Sequence, residues 1–62
     1  MTEYQNLPND PAMLLSFVNT QLRDNYPSFS ELVAAFHADA DAITENLKMI
    51  DYEYDETQNQ FV

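Results

Sequence analysis

The chain has 62 residues, eleven acids against two bases, and neither cysteine nor glycine. A net charge of −9 repels phosphate backbones and anionic membrane surfaces, so direct nucleic-acid binding and membrane association are not expected. The length allows one small domain, and without cysteine no disulfide framework or thiolate metal site can reinforce it.

Residues 1–9 read as an N-terminal arm, and 10–62 as a single small helical domain. The opening "MTEYQNLP" lacks the basic and apolar regions of a signal peptide, and no run of about 18 apolar residues follows. A cytoplasmic setting is the expectation.

Asp10-Pro11 is a helix start. The carboxylate can accept from free backbone N–H groups, and proline at the first helical position gives up an N–H that had no partner. This helix should run to about Asp24, since Pro27 biases Tyr26 away from the α region. Met13, Leu14, Leu15, Phe17, Val18 and Leu22 span roughly 200° of its circumference at about 100° per residue. A helix packed on one side of a core needs a stripe only somewhat wider than about 100°. One flank is therefore left over, either Met13 with Phe17 or Leu15 with Leu22. The arm, with Tyr4 and Leu7, could fold back along that flank or add a strand to the hairpin. Alternatively Met13, Leu15, Phe17 and Leu22 form an interface with a second copy or another protein.

"SFSE", residues 28 to 31, is a capping box: Ser28 caps a second helix and Glu31 reaches back to the Ser28 N–H. Leu32 stands at the staple position opposite Pro27. The helix should end near His37, with Phe29, Leu32, Val33 and Phe36 in one stripe. A third helix starts at Asp39, and Ile43, Leu47 and Ile50 give its apolar face. Asp51 follows, where a left-handed closing residue is expected. With glycine absent, such positions fall to Asn or Asp.

In "DYEYDETQNQFV" the period switches to two. Tyr52 and Tyr54 alternate with acids, residues 55–59 are turn chemistry with Asn59 able to take positive φ, and Gln60 to Val62 return as a strand. The fold expected is mainly α with a small β-hairpin: a three-helix, helix-turn-helix-like core followed by a C-terminal wing-like hairpin. Its core should hold Leu14, Val18, Leu22, Leu32, Val33, Phe36, Ile43, Leu47 and Ile50, with Tyr52, Tyr54 or Phe61 closing one side.

Candidate chemistry is sparse. A DNA reader needs Arg, Asn, Gln or Lys on its recognition helix, and here that outer face offers Asp41, Thr44, Glu45 and Lys48. Asp51, Glu53 and Asp55 copy the first ligand positions of a calcium loop, but Glu56 stands where that loop needs glycine and Val62 where it needs glutamate. A solvated strand face explains the three acids better. His37 is the single histidine, placed where a charged imidazole would suit a helix C-terminus. It lacks a nucleophile or second ligand in the pattern, and no glycine shapes a phosphate loop or oxyanion turn. The tyrosines and phenylalanines could stack on bases, but such platforms come with basic grooves. Aromatics covering a small core are the better reading. No catalytic residue, cofactor or metal is expected.

The stretches "PNDPAMLLSFVN", "LRD" and "IDYEYDETQNQF" resemble a family of short bacterial proteins classed as a domain of unknown function. That family's pattern reads P-N-D-P-x-M-L-L-S-x-V-N, then L-R-D, an acidic helix pair, and G-Y-E-Y-(D/N)-P-x-T-N-Q-F. The likeness runs from about Leu7 to Val62. The chain departs at Asp51, where the pattern has glycine, and at Glu56, where it often has proline; both are turn positions. The resemblance implies no activity and no ligand residues. Two functions remain in view: a small acidic module that self-associates or docks on a protein partner, and a helix-turn-helix regulator acting through a basic partner. An acidic mimic of DNA is a third.

Overall fold

The computed structural model describes residues 7–62. Among them are three α-helices, α1 (Pro11–Asp24), α2 (Phe29–Phe36) and α3 (Ala40–Lys48), followed by a hairpin of β1 (Tyr54–Asp55) and β2 (Gln60–Phe61). The strands are antiparallel, with Tyr54 opposite Phe61 and Asp55 opposite Gln60. The chain is thus mainly helical, with the hairpin at its C-terminal end.

Each helix starts where a short polar side chain meets its first free N–H groups. The Asp10 carboxylate accepts from the Met13 N–H at 3.1 Å, with Pro11 next in line. Ser28 Oγ accepts from the Glu31 N–H at 3.2 Å. The reciprocal half of the capping box, from Ser28 N–H to the Glu31 carboxylate, is not formed. Asp39 Oδ1 accepts from the N–H groups of Asp41 (3.0 Å) and Ala42 (3.4 Å).

The helix ends are built without glycine. After α2 the chain turns left-handed at His37, φ 54°. There the His37 N–H donates to Ala34 O and the Ala38 N–H to Val33 O, the two bonds of a Schellman motif. After α3 the same motif recurs around Asp51, φ 66°, with the Asp51 N–H on Lys48 O and the Tyr52 N–H on Leu47 O. Asn59, φ 55°, is the third left-handed residue. Asp51 and Asn59 meet the expectation from their residue type. His37 was not anticipated for this role, although histidine too is enriched at positive φ.

The core consists of Leu14, Val18, Leu22, Leu32, Ile43, Leu47 and Phe61. Three elements, α2, α3 and β2, pack on α1, and β1 packs on β2. That is why its apolar arc is so wide: one helix serves three neighbours. Val33, Phe36 and Ile50, expected in the core, are only half-buried against it. In an eight-residue helix lying at the rim of so small a domain, one position, Leu32, faces the centre and the flanking positions stay at the edge. Phe36 is instead covered by the ring edges of Phe17 (5.6 Å between centroids) and Tyr26 (5.8 Å). A second aromatic cluster joins Phe29, Tyr54 and Phe61, with centroids 5.1–5.5 Å apart. Phe61 is fully buried, while Tyr52 and Tyr54 are half-buried beside it.

Candidate functional site

The four residues expected at an interface on α1 separate in the structure. Leu22 is 2% exposed and belongs to the core, so it has no surface to offer a partner. Leu15 and Phe17 are half-buried against that core. Met13 alone stands out, at 64% exposed. Met49 and Val62 are the other large apolar side chains that are exposed among the described residues. Leu7, from the arm, packs against the core; Tyr4 lies outside the described residues.

A polar network that sequence spacing did not point to centres on Asn59. Its amide Nδ2 donates to Leu22 O (3.1 Å) and Tyr26 O (3.0 Å), closing the end of α1. Its Oδ1 accepts from the Tyr54 hydroxyl at 2.7 Å, and that hydroxyl in turn accepts from the Phe29 N–H at 3.2 Å. One side chain thereby ties the C-terminus of α1, the start of α2 and the hairpin together. Asn19, in the middle of α1, plays a comparable part. Its Oδ1 accepts from the Phe61 N–H (2.8 Å) and its Nδ2 donates to Phe61 O (3.1 Å). The amide pairs with both main-chain groups of one strand residue, as a neighbouring peptide unit would. No buried polar side-chain atom among the described residues lacks a partner.

The other candidates resolve as follows. The outward residues Asp41, Glu45 and Lys48 of α3 are exposed and Thr44 is half-buried. Asp51, Glu53 and Asp55 do not share a strand face, contrary to expectation. Asp51 sits in the left-handed turn after α3, and Asp55 folds over the hairpin loop. Asp55 accepts from the Gln58 amide (3.1 Å) and the Thr57 N–H (2.8 Å), and these bonds hold its carboxyl below the usual aspartate range. Among the described residues no three His, Cys, Asp or Glu side chains are grouped to hold a metal ion. His37 acts through its backbone as the closing residue of α2. The aromatic rings meet edge-on or tilted, as core-covering rings would. No helix among the described residues is long and apolar enough to cross a membrane.

One cleft, of about 260 Å³, lies where Leu7 to Asn9 cross the α2–α3 turn and α3. The Asn46 amide donates to Asn9 O at 3.2 Å and fixes this crossing. The cleft walls are Leu14, Phe36, Ala38 and Ile43, and its polar lining includes His37, Asp39 and Asn46.

A family model described as a domain of unknown function (DUF4250) matches residues 8–61. No curated protein matches the chain significantly, and no solved structure does. The matched span starts just before the Asp10 cap and ends on Phe61. It holds Asn19, Tyr54 and Asn59, so the stretches quoted for the resemblance coincide with the network that joins helix to hairpin.

Proposed function

The chain belongs to the DUF4250 family, and from its geometry we propose a non-catalytic protein-interaction module that docks on a basic surface of another protein. One observation carries this reading: the polar side chains placed with most geometric care bond to the chain's own backbone, and the charge that faces outward is mostly acid. Asn19, Asn59, Tyr54, Ser28, Asp10 and Asp39 all close backbone groups of this chain. Of the two bases, Arg23 is already engaged with Asp24 through two bonds of 2.9 and 3.1 Å. A surface of this sign steers a basic partner toward it and turns acidic ones away.

Self-association is the weaker form of the same idea. Most of the α1 arc is covered within the chain, and two copies at −9 repel. The helix-turn-helix reading has one supporting feature, the three-residue connection between α2 and α3. Asp41 and Glu45 on α3 would then face the phosphates, so a partner would have to supply the cations.

The test is a titration of isotope-labelled protein with a lysine-rich peptide at low and moderate salt, followed by amide NMR shifts. A contiguous set of shifted residues and an affinity that falls with salt are expected. Shifts spread evenly over every acidic residue would refute a docking surface. Sedimentation equilibrium across a salt series separates the two forms of the idea. The mass should stay monomeric, whereas a mass that rises as salt screens the charge would favour self-association.

A further inference from the structure

The two edges of the hairpin are not alike. Glu53 and Val62 exchange both main-chain bonds, at 3.0 and 2.8 Å. In the next pair, Tyr54 opposite Phe61, the N–H and C=O groups of both residues therefore point away from the partner strand. On the β2 side those groups meet Asn19, which accepts from one and donates to the other. On the β1 side the main-chain N–H and C=O of Tyr54 meet no partner among the described residues. Beside Tyr54 and Glu56 a groove of about 360 Å³ opens toward the start of α2, bounded by Pro27, Ser28, Phe29 and Ser30.

We propose that the free edge of β1 is where the partner docks, by laying an extended, lysine- or arginine-bearing segment beside Tyr54 as a third strand. The proposal rests on the interaction-module reading above and gives it a place. An unpaired edge offers a donor and an acceptor in the geometry of a sheet, which an extended chain matches and a helix does not. Glu53, Asp55 and Glu56 lie along this edge, with no base among them, so basic side chains on the added strand find opposite charges across it. The same acids exclude a second copy as occupant. Two β1 strands paired antiparallel about Tyr54 would set Glu53 of each chain against Asp55 of the other, and like charges directly opposite are destabilising.

The probe is a short capped peptide of alternating lysine and valine, used beside a twin N-methylated at the residues that would bond to the edge. Binding of the first should slow hydrogen exchange of the Tyr54 amide at least about tenfold, and N-methylation should weaken binding about tenfold. The double variant Glu53→Lys with Glu56→Lys changes two exposed side chains. It should keep the helical circular-dichroism spectrum while losing about tenfold in affinity. Equal binding of the two peptides, or unchanged Tyr54 exchange with shifts on another contiguous surface, overturns the edge and leaves the interaction module standing. Failure of both peptides to bind overturns both.

Discussion

Replacing Asn59 by aspartate exchanges one NH2 group for an oxygen and leaves the shape of the side chain almost unaltered. In the native chain that NH2 donates to Leu22 O at 3.1 Å and Tyr26 O at 3.0 Å, while Oδ1 accepts from the Tyr54 hydroxyl. The variant forfeits two bonds worth about 0.5–1.5 kcal/mol each and sets a half-buried oxygen against two carbonyl oxygens, which adds about 1–3 kcal/mol. The expected loss is about 2–6 kcal/mol, against a total stability of about 3–9 kcal/mol at roughly 0.05–0.15 kcal/mol per residue. Two companion variants separate side chain from backbone. Asn59→Gly keeps the positive φ and removes all three bonds, whereas Asn59→Ala also places a Cβ in the left-handed region, a further loss of about 1 kcal/mol. Urea unfolding followed by circular dichroism at 222 nm should therefore place Asn59→Ala about 1 kcal/mol below Asn59→Gly, with Asn59→Asp destabilised by the amount above. An Asn59→Asp midpoint within about 0.5 kcal/mol of the wild type, the range of an inert surface change, would refute the bridging role.

Leu47 is fully buried in the last turn of α3, and Leu47→Ala should lower stability by about 2–5 kcal/mol, read from the same unfolding curves. Asp55 has a folded-state pKa below its ordinary value of about 3.9, so its contribution is complete above that value and disappears as pH falls through the folded pKa. Melting temperatures between pH 5 and 2 should accordingly drop less for Asp55→Asn than for the wild type. At about 50 mM salt, where phosphate contacts are strongest, a gel shift with duplex DNA should show no complex at micromolar protein; a complex with steep salt dependence would return the helix-turn-helix reading to first place.

Local grammar made much of this fold readable. Asp10, Ser28 and Asp39 cap because their partners lie two or three residues away, and Asp51 and Asn59 take the left-handed bends because glycine is missing. The hairpin followed from a change of period, and the six core residues other than Phe61 lie on helical faces that a wheel displays. What escaped depends on distant partners. Asn19 meets Phe61 across 42 positions, and Asn59 meets Leu22 across 37, separations that carry no periodic trace. Phe36 and Ile50 have the right spacing for a core, but spacing does not say that the domain ends before they are covered. The interface expected on α1 illustrates the same limit, since the width of an apolar arc does not reveal how many neighbours share it.

The pairing of Asn19 with Phe61 also sets a timetable. Synthesis delivers α1 first, and the strand that completes it emerges 42 positions later, about 2–8 s at 5–20 residues per second. An isolated helix of 14 residues is marginal in water, so α1 cannot wait as a finished element. The part of its apolar arc that β2 covers stays bare until the hairpin arrives. The fold closes only at that late step, and during those seconds the nascent chain's charge works against aggregation.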